Sequence, residues 1–121
     1  MKHAITLMAS SDITPGKFSE FKLLLEELVK HCEDTEPGTL AYNYYLNLEE
    51  TELLSVETFE NSDAVIFHAL NYSSFAEKIS ELVTMRKITV CGNCTQQLLD
   101  VLAEYDLDVL HFADGFARVA K

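Results

Sequence analysis

Residues 36–47 are Glu36-Pro-Gly-Thr-Leu-Ala-Tyr-Asn-Tyr-Tyr-Leu-Asn47, in which a Pro-Gly turn precedes three tyrosines and two asparagines. Pro-Gly marks a turn, and a run of aromatic and apolar residues after it is typical of a β-strand. A second strand-like run follows over residues 52–60, after the short acidic link Glu49-Glu50-Thr51. The two runs predict a β-hairpin with strands over residues 39–48 and 52–60.

A strand and a helix are predicted before this hairpin. His-Ala-Ile-Thr-Leu-Met-Ala alternates weakly and predicts a first strand over residues 2–10. Thr14 and Pro15 are typical of a helix start, with threonine as N-cap and proline at the first helical position. The apolar residues that follow recur at helical spacing, which predicts an amphipathic helix ending near Glu33. This stripe consists of Phe18, Phe21, Leu24, Leu25, Leu28 and Cys32.

Three helical segments and two strands are predicted after the hairpin. Ser62 is a candidate N-cap for a short helix, and Ser74 with Glu77 forms a capping box for a second one. The other elements are a strand over residues 86–93, a helix over residues 95–105 and a strand over residues 108–113. The order β-α-β-β-α-β with an α-β extension is the ferredoxin-like arrangement, an α+β fold with an antiparallel sheet.

Both faces of this sheet are predicted to be covered. Apolar residues occur on both sides of the first three strands, whereas a sheet with one face in water alternates more clearly. Because the helices of one chain can cover only one face, we expect a homodimer whose two sheets pack face to face. We treat residues 1–94 as one ferredoxin-like domain and residues 95–121 as a helix–strand extension of that domain, which we expect to pack against the body.

Charge and cysteine content limit the possible partners and location. The chain has 121 residues and a formal net charge of −11, and its few basic residues form no run that would bind nucleic acid or an anionic membrane surface. The N-terminus has neither the apolar length of a membrane span nor the pattern of a signal peptide. Three cysteines fit a reduced compartment. We therefore expect a cytoplasmic protein that binds neither nucleic acid nor membrane.

Three segments resemble the antibiotic biosynthesis monooxygenase (ABM) domain family, and most of all its quinol monooxygenase type. They are residues 15–29, 36–47 and 57–75, and the resemblance extends over about residues 2–92. Its most specific parts are the E-P-G-T turn before the tyrosine strand and the pattern E-x-F-x-x-S-D-A-x-x-x-H. The resemblance implies a dimeric α+β barrel that oxidises phenols or quinols with O₂ and uses no flavin, haem or metal.

His68 is the candidate catalytic residue. It is the polar side chain between Ala64 and Leu70, so we expect it to be buried or to line a cavity. An imidazole can accept a proton from a phenol near neutral pH, where a carboxylate is too weak a base. The alternative is a core histidine whose ring is satisfied by a backbone carbonyl, and the family resemblance is what favours the catalytic role.

Seven more side chains are candidates for substrate binding, namely Asn43, Tyr45, Asn47, Phe67, Tyr72, Phe75 and Arg86. Tyrosine rings would form an apolar wall with a hydroxyl that orients a flat aromatic substrate, and the asparagine amides could hold a carbonyl or an oxyanion. Because neighbours on a strand point to opposite sides, we expect Asn43, Tyr45 and Asn47 to face the cavity. Tyr42 and Tyr44 would then face the dimer core. Arg86 could stabilise an anionic intermediate, although an ion pair with an acidic side chain is the commoner role.

The remaining motifs predict no metal or cofactor site. Cys91-Gly-Asn-Cys94 is a single C-x-x-C pair, whereas structural zinc needs four ligands. A redox dithiol usually opens a helix after a strand, as Cys94-Thr95 is predicted to do, but no thioredoxin-like βαβ context surrounds the pair, so we interpret it as a chance occurrence. No glycine-rich phosphate loop is present, so we expect neither flavin nor nicotinamide.

Two functions follow from these residues. The leading hypothesis is a cofactor-independent monooxygenase that oxidises a phenolic or quinol-type aromatic with O₂. The alternative is a non-catalytic dimer that binds a small hydrophobic molecule. Haem binding or degradation is disfavoured, since the sequence contains no tryptophan and lacks the histidine that haem-degrading members carry shortly after the position of Phe75.

Overall fold

The computed structural model of the chain describes residues 3–118. Its elements are β1 (Ile5–Ile13), α1 (Phe18–Thr35), β2 (Thr39–Leu46), β3 (Glu52–Phe59), α2 (Ser62–Leu82), β4 (Val83–Cys91), α3 (Gln96–Leu102) and β5 (Leu107–Leu110). The five strands form one sheet in the order β2-β3-β1-β4-β5. The predicted ferredoxin-like α+β fold and its hairpin, β2–β3, are confirmed.

The four strands of the ferredoxin-like core are antiparallel, as predicted, and the strand of the extension is parallel to its neighbour. β5 pairs in parallel with β4, with Ile88 opposite Leu107, whereas the other pairs of strands are antiparallel. The reason is that α3 carries the chain back along the sheet before β5 begins, which gives a β-α-β crossover. Leu98 and Leu102 of α3 are buried in the core, so α3 packs against its own chain, whereas Leu110 and Phe112 are 55% and 59% exposed.

The prediction of two helices after the hairpin is wrong, because α2 is one continuous helix of 21 residues. Its N-cap is Asn61 rather than Ser62, since the Asn61 Oδ1 accepts a hydrogen bond from the Ala64 amide at 2.9 Å. Ser74 lies inside the helix, where its hydroxyl donates to the Asn71 carbonyl at 3.3 Å. A serine that bonds a carbonyl one turn earlier is compatible with a helix interior, so Ser74 caps nothing.

α1 also begins later than predicted. Thr14 and Pro15 do not start the helix, because Pro15 and Gly16 form a turn in which Gly16 has a φ of +80°. The helix begins at Phe18, with Lys17 as N-cap. Glycine readily adopts a positive φ. The turn at this position separates β1 from α1.

A close approach at Gly38 fixes the start of β2 against the first turn of α2. A Cβ atom at Gly38 would lie 2.8 Å from the Cβ of Ala64, so the backbone meets the helix where a side chain has no room. The Gly38 carbonyl also accepts a hydrogen bond from the Glu60 amide at 2.9 Å. This packing brings the segment that follows α1 next to α2, one turn before His68.

Candidate active site

His68 lies on α2 between two buried carboxylates. Its Nδ1 is 2.8 Å from the Glu36 Oε1, and its Nε2 is 3.4 Å from the Glu57 Oε1. Glu36 follows α1 directly and Glu57 lies on β3, so three separate elements position the imidazole. All three side chains are buried, with 8% of His68, 3% of Glu36 and 5% of Glu57 exposed. A buried carboxylate needs partners, and the imidazole provides one for each of these two.

Glu36 holds the imidazole in one orientation. Its carboxylate accepts hydrogen bonds from the Thr39 hydroxyl and from the Asn71 amide, each at 2.7 Å. Burial raises the pKa of Glu36, but the hydrogen bonds from His68, Thr39 and Asn71 outweigh it and lower the pKa to about 2. Since an ionised carboxylate can only accept, the Nδ1 of His68 is the donor in this pair. Nε2 is thereby turned towards Glu57.

Glu57 is the carboxylate on the sheet side of the imidazole. The Ser55 hydroxyl donates to its Oε2 at 2.6 Å. Burial raises the pKa of Glu57, and the nearby His68 and the Ser55 hydrogen bond only partly counteract this effect. The pKa values of the two carboxylates around His68 are therefore shifted in opposite directions.

Tyr42 and Tyr44 form a hydrogen-bonded pair beside the imidazole. Their hydroxyl oxygens are 2.7 Å apart, and the Tyr42 ring stands edge-on to the His68 ring with 5.0 Å between centroids. Burial raises the pKa of both phenols, so both are neutral. One hydroxyl donates to the other, which leaves one O–H proton of the pair for a ligand.

A cavity of about 570 Å³ lies between the sheet and the helices. His68 and Glu57 are on its wall together with Tyr42, Tyr44 and Tyr72, and most of the remaining lining is aliphatic. Leu70 and Tyr105 line it near the surface, with 70% and 40% of their side chains exposed. A cavity of this size and character accommodates a small, largely apolar molecule and offers a few convergent polar groups to orient it.

The prediction of which tyrosines face the cavity is wrong. Tyr42 and Tyr44 line the cavity, whereas Asn43 and Tyr45 lie on the opposite, exposed face of the sheet. The reason is the pairing with β3, where Tyr42 is opposite Glu57 and Tyr44 is opposite Ser55. Partners across two strands share a face, and Glu57 and Ser55 both lie beneath the helices.

Asn47 does not line the cavity either, because its side chain closes the β2–β3 hairpin. Its Oδ1 accepts hydrogen bonds from the amides of Thr51 and Glu52, at 2.8 and 3.0 Å. Its Nδ2 donates to the Thr51 hydroxyl at 2.9 Å. An asparagine that bonds nearby backbone amides is a common turn device, so Asn47 has a structural role here.

Three other candidates for substrate binding lie outside the cavity lining. Phe67 is 49% exposed on the outer side of α2. Phe75 packs beside His31, with 5.4 Å between ring centroids. Arg86 pairs at the surface with Asp12 at 3.4 Å and with Glu52 at 3.0 Å, which is the ion-pair role that the sequence left open. Of the predicted set, His68 and Tyr72 are the two that line the cavity.

Two carboxylates of the site were missed at the sequence level. Glu57 shares its side of β3 with Leu53 and Phe59, so strand alternation alone places an acid among core residues. Glu36 precedes Pro37 in a turn, and no local pattern marks its side chain as buried. The first omission could have been avoided, whereas the second depends on contacts with His68 that only the fold creates.

One group of side chains within residues 3–118 could hold a metal ion. It consists of Cys32, Glu36 and His68, whose donor atoms all lie within 4.8 Å of one another. A thiol must lose its proton to bind a metal, and burial raises the pKa of Cys32. The other two donors are hydrogen-bonded to each other. The arrangement therefore fits a protonated thiol beside an imidazole–carboxylate pair better than it fits a metal centre.

The C-x-x-C pair lies between a strand and a helix, as predicted. Cys91 ends β4 and Cys94 precedes α3, and because β5 pairs in parallel with β4 the pair stands in a β-α-β unit. Burial, and then the neighbouring Cys91, raise the pKa of the Cys94 thiol. A reactive redox pair needs the opposite shift, which argues against such a role.

Comparison with known proteins assigns the family. The model of the antibiotic biosynthesis monooxygenase family matches residues 4–71, more than half of the chain. The chain belongs to this family. The match includes β1, α1, the hairpin and the part of α2 that carries His68, so the candidate site lies within the ABM segment. A comparison with curated proteins found no significant match.

Solved structures share the ABM fold at low sequence identity. MupZ from Pseudomonas fluorescens is 19% identical over 96% of this chain and 95% of its own, with a TM-score of 0.83. A conserved protein from Methanosarcina mazei is 22% identical over 74% of this chain and 91% of its own, with a TM-score of 0.66. A provisionally named antibiotic biosynthesis monooxygenase from Bacteroides thetaiotaomicron is 18% identical over 67% of this chain and 80% of its own, with a TM-score of 0.62. These likenesses show the fold.

Within the described residues of the ABM chain, no helix is both long and apolar enough to cross a membrane.

Proposed function

We propose that the protein is a cofactor-independent monooxygenase that oxidises a phenolic or quinol-type aromatic with O₂. The observation that carries the proposal is the imidazole of His68, which is held between two buried carboxylates on the wall of a cavity of about 570 Å³. Glu36 fixes the ring so that Nε2 is the atom that accepts a proton. Membership of the ABM family supports oxygenation as the reaction that follows this proton transfer.

The proton transfer produces the species that reacts with O₂. The substrate hydroxyl gives its proton to Nε2 of His68, and the carboxylates of Glu36 and Glu57 stabilise the positive charge that forms on the ring. The electron-rich phenolate then passes one electron to O₂, and the substrate radical combines with superoxide at carbon. One oxygen atom stays on that carbon and the other leaves as water. In an anthrone the CH₂ group becomes a carbonyl, and in a quinol a ring C–H and the two hydroxyls become a hydroxyquinone, so either substrate supplies all four electrons. The tyrosine-lined cavity excludes water and orients the ring.

Oxygen uptake tests this function. The protein is mixed with a panel of quinols and anthrones, and we expect at least one compound to be consumed together with an equal amount of O₂. With ¹⁸O₂, the product should contain one labelled oxygen atom. Ligand binding by the panel without any oxygen uptake would contradict the proposal and would favour the non-catalytic binding protein.

We also propose that the protein is a homodimer that buries the free face of the sheet. This face carries Tyr45 and Leu54, which are 56% and 39% exposed, and Met8 lies opposite Val56 on it. Exposed apolar residues grouped on one face are typical of a surface that binds a partner. Analytical ultracentrifugation at micromolar concentration should give twice the chain mass of 13.7 kDa. A folded monomer at that concentration would show that the face stays free.

A further inference from the structure

The charges around the cavity are unbalanced. Glu57 and Glu104 line it, and no Lys or Arg among residues 3–118 does so. His68 is the one basic side chain on this part of the wall, and it is already paired with the carboxylate of Glu36 at 2.8 Å. Arg86, the cation that the sequence placed near the substrate, is bound to Asp12 and Glu52 at the surface instead. A ligand that carries its own negative charge therefore finds no cationic partner on this wall.

Glu57 also retains capacity to accept a hydrogen bond. One of its oxygens accepts from the Ser55 hydroxyl at 2.6 Å, and the other is 3.4 Å from the Nε2 of His68. Each carboxylate oxygen has two lone pairs, so acceptor sites remain on a side chain that lines the cavity. Tyr42 lies opposite Glu57 across the two strands, and the pair of Tyr42 and Tyr44 has one O–H proton to donate.

We propose that Glu57 determines the substrate class of this cavity. It accepts a hydrogen bond from a hydroxyl group of an uncharged ligand, and it excludes ligands that carry a carboxylate, a sulfate or a phosphate. The inference rests on the proposed function only for the aromatic class of the ligand. A phenol that gives its proton to His68 leaves the total charge of the cavity unchanged, whereas a carboxylate ligand adds a buried negative charge.

The test measures the binding of two ligands of equal size. A hydroxyanthraquinone carboxylate and the carboxamide of the same skeleton are titrated into the protein by calorimetry without O₂, so no turnover is needed. We expect the carboxamide to bind at least about tenfold more tightly than the carboxylate. In Glu57→Gln the difference should shrink to about threefold or less. Glu81→Gln removes the same charge from an exposed site on α2 outside the cavity lining and should keep the full difference.

Each other outcome of this titration overturns the inference. The inference is overturned if the wild-type protein binds the carboxylate as tightly as the carboxamide, and this comparison is valid even if the Glu57→Gln variant does not fold. It is also overturned by a Glu57→Gln variant that folds and keeps the wild-type preference. If neither ligand bound, the cavity would not be a site for hydroxylated aromatics, and this assignment would fall with it. Selective binding that depends on Glu57, together with no oxygen uptake, would refute the monooxygenase but leave the inference intact.

Discussion

Replacement of His68 by Gln should lower the rate of oxygen uptake by about 10²–10⁴-fold, the range expected when a general base is lost. Glutamine can still donate a hydrogen bond to Glu36, so the buried carboxylate keeps a partner. It cannot take up a proton from the substrate near neutral pH. The loss should appear mainly in kcat, while the affinity for the substrate measured without O₂ falls less, because the tyrosine wall of the cavity is unaltered and only the ionisation of the bound phenol is lost.

The control for this variant is His111→Gln. His111 is an exposed residue after β5 and does not line the cavity. This substitution removes the same type of side chain and should leave oxygen uptake unchanged. A His68→Gln enzyme with more than about a tenth of the wild-type kcat would show that another group accepts the proton.

Glu36→Ala should destabilise the protein by about 3–5 kcal/mol, because each buried donor left without its acceptor costs about 1–3 kcal/mol. The truncation leaves the Thr39 hydroxyl, the Asn71 amide and the His68 ring without the acceptor that they share. Urea denaturation at pH 7 measures the change in the free energy of unfolding. Glu33→Ala is the matched control, because Glu33 is exposed on the last turn of α1 and should change stability by about 0.5 kcal/mol or less.

The pH dependence of this effect has a definite sign. In the folded protein the pKa of Glu36 is lowered from 4.5 to about 2, so the folded state binds the carboxylate proton less readily than the unfolded chain does. The stabilisation by Glu36 is therefore complete above the unfolded value and is lost as the pH falls from there towards 2. We expect the difference between Glu36→Ala and wild type to shrink over this window. A difference that stays constant from pH 7 to pH 3 would show that the ionised carboxylate does not stabilise the fold.

Much of the fold was predictable because it follows from local patterns. The Pro-Gly turn and the acidic link delimit the β2–β3 hairpin, and the apolar stripe from Phe18 to Cys32 gives α1. The continuity of α2 was not predictable, since Ser74 and Glu77 form a valid capping box in isolation. In the fold, residues on both sides of Ser74 pack onto the core, with Val65 and Ile79 buried, and this packing outweighs the local preference for a break.

The site was predictable only in part. His68 was found because it is a polar side chain on an apolar helix, and its neighbourhood then matched a family. The two carboxylates come from elements 32 and 11 residues away in sequence, so their contact with His68 exists only after the sheet and helices have packed. The orientation of β2 was mispredicted because the amides of Asn43 and Asn47 were expected to supply the polarity of the cavity. The phenols Tyr42 and Tyr44 supply it instead, next to Glu57.

In the proposed mechanism, His68 takes the hydroxyl proton of an aromatic ligand bound in the cavity. The most direct measurement is the absorption spectrum of a bound hydroxyanthraquinone without O₂, at a pH below the pKa of the free dye. We expect the long-wavelength band of the phenolate on wild-type protein and the band of the neutral phenol on His68→Gln. A neutral-phenol spectrum from dye that is bound to the wild-type protein would contradict this mechanism.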